Sequence, residues 1–158
     1  LPVILVSLPE HQSAFRRIST IPHLLDEGIE KDIGGIEAPE LLSDAKAVIE
    51  HVREARATEL LEKFGDAEAH GGASSDLKAI GLALVERKVR ALFLAEGAYI
   101  PGGFGEVRLF EREPHGRFQG PELADGFVRA ALAQDADVFE LPAEKIPGDS
   151  GIAALYRY

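Results

Sequence analysis

Cysteine is absent from the 158 residues, which excludes disulfides, thiolate zinc sites and cysteine nucleophiles together. Methionine is absent too, even at the first position, and an apolar run such as Val3–Val6 rarely stands at an unprotected natural terminus. Both features are expected of a piece of a longer chain. No apolar segment approaches the roughly 18 residues needed to cross a membrane, and the opening Leu-Pro-Val-Ile-Leu-Val-Ser lacks the basic flank and length of a signal peptide. A cytoplasmic protein with no membrane partner is therefore expected. Basic residues are few: 17 Lys and Arg against 27 Asp and Glu leave a net charge of -10. That balance disfavours direct RNA binding, which normally rests on clustered cations that displace counterions, and it favours a protein partner.

What is present suits a globular core. An apolar fraction of 46% over 158 residues allows one good domain, or one domain with a fragment of another. The least ambiguous stretch is 74–96. Ser74 or Ser75 is placed to cap a helix in which Leu77, Ile80, Gly81 and Leu84 recur at i, i+3, i+4 and i+7, with Arg87 and Lys88 at its end. The almost continuously apolar run Val89–Ala95 follows, as expected of a strand buried on both faces, with Phe93 in a central strand flanked by helices. Helix feeding buried strand implies α/β layering.

Upstream, residues 2–7 read as a strand. Ser7, Pro9 and Glu10 then start a short helix running to about Ser19, and 24–29 can add an edge strand among the breakers Pro22, Gly28, Gly34, Gly35 and Pro39. We place a domain boundary there, between 37 and 38. From Glu40 to Phe64 the pattern is helical, with Leu41, Ala45, Val48, Val52 and Ala55 on one stripe, Leu42 and Ile49 beside it, and Gly65 as the stop. Downstream, Gly97–Gly120 is rich in glycine and encloses a short strand at Glu106–Phe110. Pro121–Gln134 reads as a helix facing inward with Leu123, Phe127, Ala130 and Ala131, followed by a strand at Val138–Leu141. From Gly151 the chain alternates Ile152, Ala154, Tyr156 and Tyr158 against Ala153, Leu155 and Arg157, as a terminal strand would.

Motifs that suggest chemistry read better as turns and loops. Gly148-Asp149-Ser150-Gly151 spells the nucleophile segment of trypsin-like proteases, but few residues follow Ser150 and the chain is rich in helix, so a turn before a strand is expected. His70-Gly71-Gly72 resembles an esterase oxyanion loop, yet no Gly-x-Ser-x-Gly elbow accompanies it, and a loop between two helices is expected. Gly102-Gly103-Phe104-Gly105 lacks the lysine and following helix of a phosphate loop. The five histidines, His11, His23, His51, His70 and His115, show no metal-ligand spacing, and the dispersed Glu50, Glu54, Glu59 and Glu62 look like a solvated helical face. No cofactor, no metal site and no catalytic constellation is expected within this chain.

The helix-strand unit, the later Ala136-Asp137-Val138-Phe139-Glu140-Leu141 and above all the ending Ser150-Gly151-Ile152-Ala153-Ala154-Leu155-Tyr156-Arg157-Tyr158 resemble the C-terminal domain of archaeal and eukaryotic class-1 release factors and of Pelota. Among bacterial proteins the chain resembles the archaeo-eukaryotic release factor family. Residues 40–158 carry this likeness. It implies a three-layer α/β/α sandwich similar also to the kink-turn-binding ribosomal proteins, preceded by a long linking helix, with 38–158 as the C-terminal domain and 1–37 as a remnant of the middle domain.

Peptidyl-tRNA hydrolysis in that family depends on a Gly-Gly-Gln loop. None occurs here: Gly34-Gly35-Ile36, Gly71-Gly72-Ala73 and Gly102-Gly103-Phe104 all lack the amide, so no catalytic residue carries over. What the resemblance implies is docking to a protein partner, the ribosome or a translational GTPase, with Tyr99, Gly102, Gly103 and Phe104 as the candidate partner-contact loop. The other reading is a supporting domain for a hydrolase of peptidyl-tRNA or another ester, whose catalytic part lies upstream of Leu1.

Overall fold

In the computed structural model Val89–Ala95 forms strand β2, with the bounds expected from its apolar run. The described residues are 1–100, 102 and 122–158; the expected strand at 106–110 lies outside them. Contacts divide the chain into two compact units, 1–56 and 57–158, with the division inside one helix, α2, Ala38–Glu62.

In the second unit β2 is central. It pairs in parallel with β3, Asp137–Leu141, and antiparallel with β4, Ile152–Tyr156, and the two-residue β1, Ala73–Ser74, pairs with β4 in the order β1-β4-β2-β3. The strand side chains alternate between two apolar layers. On one face Leu92, Leu94, Ile152 and Ala154 meet Ile80, Ala83 and Leu84 of α4, Leu77–Val85, together with Leu123, Phe127 and Ala131 of α5, Leu123–Leu132. On the other, Ala91, Phe93, Phe139, Ala153 and Leu155 meet Ala57 and Leu60 from the end of α2 and Phe64 from α3, Phe64–Ala69. This is the expected α/β/α sandwich, and Phe93 lies fully buried in its centre. Val89 breaks the alternation by packing with Leu92. The register explains it: Val89 faces Tyr156 while Ala91 faces Leu155, so a bulge at Arg90 places two steps of β2 against one of β4.

Several local expectations are corrected. The cap of α4 is neither Ser74 nor Ser75. Asp76 takes that place, its carboxylate accepting from Ala79 N at 2.9 Å, while Ser74 Oγ accepts from Asp76 N at 3.0 Å. Gly65 does not stop the long helix; α2 ends at Glu62 and Gly65 sits inside α3. Ala55, expected on the inner stripe of that helix, is exposed, whereas Val48 is buried. The Gly71-Gly72 stretch does not simply join two helices, because it leads into β1.

In the first unit residues 3–6 and 24–29 form parallel bridges, Val3 to Leu24 and Val6 to Ile29, on either side of α1, Pro9–Ile18 in the chain. Pro9 occupies the first helical turn as expected, but Leu8 rather than Ser7 is the cap residue. Polar side chains of α1 bind the neighbouring segment: the buried Gln12 donates to Ile29 O at 3.2 Å, and Arg16 donates to Leu25 O and, at 3.2 Å, to Gln12 Oε1. Gly28 permits that approach, since a Cβ there would stand 2.7 Å from Gln12 Oε1 and from Leu5 O. No helix among the described residues is long and apolar enough to cross a membrane.

Candidate functional site

In open α/β sheets ligands and partners tend to meet the carboxyl ends of parallel strands. Here that end is built around the exit of β2. Ala95 N donates to Gly151 O at 2.9 Å and Glu96 N to Leu141 O at 2.8 Å, which ties the exit to β3 and to the turn before β4. Gly97, at φ +65, turns the chain, and Ala98 N closes the turn on Ala95 O at 3.0 Å. Beyond it Ile100 packs on the α4–α5 side of the core and accepts from Leu123 N at 3.0 Å. Gly102 is buried against Leu123, whose Cβ would lie 3.4 Å from a Cβ at position 102. Tyr99 stands between the turn and the Ile100 anchor with 60% of its surface exposed. Of the candidate contact residues, then, Tyr99 is exposed and Gly102 is buried, while Gly103 and Phe104 lie outside the described residues.

The neighbouring turn, 148–151, is mechanical in character. Ser150 Oγ lies 2.8 Å from Ser75 O and 2.7 Å from Ile152 O, either of which takes its proton, and it accepts from Ile152 N at 3.3 Å. Its hydroxyl is thus engaged by backbone, as expected of a turn before a strand rather than of a nucleophile. Gly72, in the stretch that resembles an oxyanion loop, uses its carbonyl to accept from Tyr156 N at 2.8 Å. Among the described residues no group of three or more His, Asp or Glu is arranged to hold a metal ion.

The opposite end of the sheet carries a polar cluster that periodicity does not single out. Gln134 is buried; its Oε1 accepts from Val89 N at 3.2 Å and its Nε2 donates to Ala130 O at 2.9 Å and Leu84 O at 3.3 Å. Arg157 donates from Nε to Val89 O at 3.0 Å and from Nη2 to Gln134 O at 2.6 Å, and Arg87 donates to Ala133 O at 3.3 Å. These bonds satisfy backbone groups at the ends of α4 and α5 and at the start of β2, groups that would otherwise be orphaned. The cue in the sequence was the Arg-Tyr ending, whose arginine has a structural task. Nearby, burial pushes the Tyr156 hydroxyl above its ordinary pKa, with the Ser74 side chain tempering the rise and Asp76 adding to it.

The architecture is that of an α/β/α domain. Residues 1–57 match the model of bacterial archaeo-eukaryotic release factor family 8, which bears out the resemblance drawn from the sequence, although the match falls on the amino-terminal part of the chain. The C-terminal domain of the peptide chain release factor from Methanosarcina mazei is similar in structure at a TM-score of 0.51 and 15% identity, over 81% of this chain and 96% of that one. Archaeoglobus fulgidus Pelota aligns at a TM-score of 0.44 and 17% identity over 98% of this chain, which spans 49% of that protein's length. No curated protein matches the chain.

Proposed function

We propose that residues 38–158 form the C-terminal protein-interaction domain of a bacterial release-factor-like or ribosome-rescue-like translation factor, non-catalytic in itself, and that residues 1–37 belong to its middle domain. The observation that carries this reading is the match of residues 1–57 to the release factor family, and the α/β/α fold of the second unit agrees with it. The net charge of -10 supports a protein partner, such as a translational GTPase or a ribosomal protein, over bare RNA. Tyr99 supports a contact at the exit of β2, because a rigid, exposed aromatic side chain loses little conformational entropy when it docks.

Co-purification of the complete protein with ribosomes and translational GTPases tests the reading. Enrichment of either is expected with stalled ribosomes at low salt, reduced by Tyr99→Ala without loss of thermal stability. Absence of both from the purified material sinks it.

A further inference from the structure

We propose that the α4–α5 layer is a self-association surface, on which a second copy of this chain lays its own α4 antiparallel to α4, centred on Leu82. Apolar side chains of this layer are expected to face the sheet, and Ile80, Ala83 and Leu84 do. Leu82 and Val85 of α4 and Leu132 of α5 are instead each more than half exposed. Arg87 donates to Ala133 O at 3.3 Å, which ties the C-terminal ends of the two helices together and keeps Leu132 on the same surface. Lys78, Leu82 and Val85 follow at i, i+4 and i+7 and form one outward stripe, and Glu86 continues it four residues beyond Leu82.

The charges identify the occupant. Lys78 lies in the first turn of α4 and Glu86 is its C-cap residue, so each stands where the helix dipole disfavours its sign. Little within the chain offsets this: Lys78 has no partner among the described residues, and Glu86 meets Lys88 at 2.6 Å in a pair with both side chains exposed. An antiparallel neighbour offsets it at both ends. Lys78 and Glu86 stand about 6 Å along the axis on either side of Leu82, so a two-fold axis at Leu82 brings Lys78 of each copy to Glu86 of the other. The outward side of α5 is neutral as well, with Asp125 and Arg129 3.9 Å apart. Two copies therefore meet here without the repulsion that a net charge of -10 produces over the rest of the chain. Two short helices cover on the order of 300 Å² per copy, against roughly 800 Å² in a standard interface, so the dimer is weak, with a Kd of about 10–300 µM. This self-association is independent of the proposed translational role.

Analytical ultracentrifugation of the 158-residue chain at low salt, from about 5 µM to about 1 mM, reads the association. The mass is expected to rise toward that of a dimer across this range. A monomer at about 1 mM overturns the proposal and leaves the surface to a different protein. Lys78→Glu and Glu86→Lys should each weaken self-association about tenfold, because each sets like charges together twice in the homodimer. An equimolar mixture of the two variants should restore it, since each then offers the charge the other lacks. Both variants keep a strongly negative net charge, so attraction between whole molecules cannot produce that rescue. A mixture that stays monomeric, or association indifferent to both substitutions, overturns the antiparallel pairing. Each substitution places a charge that the helix dipole favours, so both variants should keep the parent's thermal midpoint. Leu82→Ser gives a second measurement at an exposed position: with the midpoint retained, the dimer should weaken about tenfold, and an unchanged dimer overturns the placement of Leu82 at its centre.

Discussion

Phe93 stacks on Phe139 across the parallel β2–β3 pair, ring centroids 5.6 Å apart and planes 18° from parallel, and the two residues are also register partners. Phe93 is fully buried and Phe139 nearly so. Phe93→Ala is expected to cost about 3–5 kcal/mol, the usual range for removing a buried ring and leaving a cavity. A double-mutant cycle with Phe139→Ala should return a coupling of about 0.5–1.5 kcal/mol beyond the area each ring buries. Denaturant unfolding of the single and double variants measures both. Additive losses would mean the stack contributes no more than burial.

Gly148 and Gly97 separate two causes of glycine dependence. Both have left-handed backbone, at φ +76 and φ +65. A Cβ at position 148 would sit 2.6 Å from Ser75 Cβ and Oγ, whereas one at 97 meets nothing within 4 Å. Gly97→Ala should therefore cost only the left-handed penalty of about 1–2 kcal/mol, and Gly148→Ala distinctly more, because the turn must leave Ser75 and loosen the Ser150 hydroxyl bonds. Equal losses in thermal unfolding would show that the contact with Ser75 yields without cost.

Side-chain period made part of this fold legible. The run Val89–Ala95, apolar but for Arg90, and the alternation from Ile152 to Tyr156 specify a two-faced sheet because successive residues must point to opposite layers. What period cannot carry is the Arg90 bulge, which changes the face of Val89 through pairing with a strand some 65 residues further along the chain. Helix ends were also obscured. α4 and α5 are each followed by a non-glycine residue in left-handed conformation, Arg87 at φ 57 and Asp135 at φ 57, with Lys88 N reaching Ala83 O and Ala136 N reaching Ala131 O. The usual glycine signal is missing, so the end of α5 was placed at Gln134, two residues beyond Leu132. The exposure of Tyr99 was legible because it lies in a glycine-rich break. Gln134 was not, since its importance comes from what α5 packs against.

Gln134 and Tyr156 should respond in opposite ways to loss of their polar atoms. Gln134→Ala leaves the buried Val89 N–H without its acceptor and removes a donor from Leu84 O, an expected loss of about 1–3 kcal/mol. The Tyr156 hydroxyl is buried with no hydrogen bond of good geometry among the described residues, even though the Ser74 side chain influences its pKa. Removing it relieves desolvation and breaks nothing. Tyr156→Phe should match or exceed the parent stability in denaturant, and a clear loss would reveal a bond to Ser74 that forms in solution.

His51 gives the first unit a pH-dependent contact. Its Nδ1 lies 2.5 Å from Glu27 Oε2, and that hydrogen bond, then the charge of Glu27 and that of Glu54, hold its pKa above the ordinary 6.5. A raised folded-state value stabilises the protonated form, so the contribution is fully present below about 6.5 and is lost as pH rises through the folded value. Both side chains are well exposed, so salt should screen the effect and its size should be small. NMR titration of the His51 ring should place its midpoint above 6.5 at low salt, and Glu27→Gln should lower it, since the neutral amide keeps a polar neighbour but removes the charge. A midpoint indifferent to both Glu27→Gln and salt would mean that His51 and Glu27 do not pair in solution.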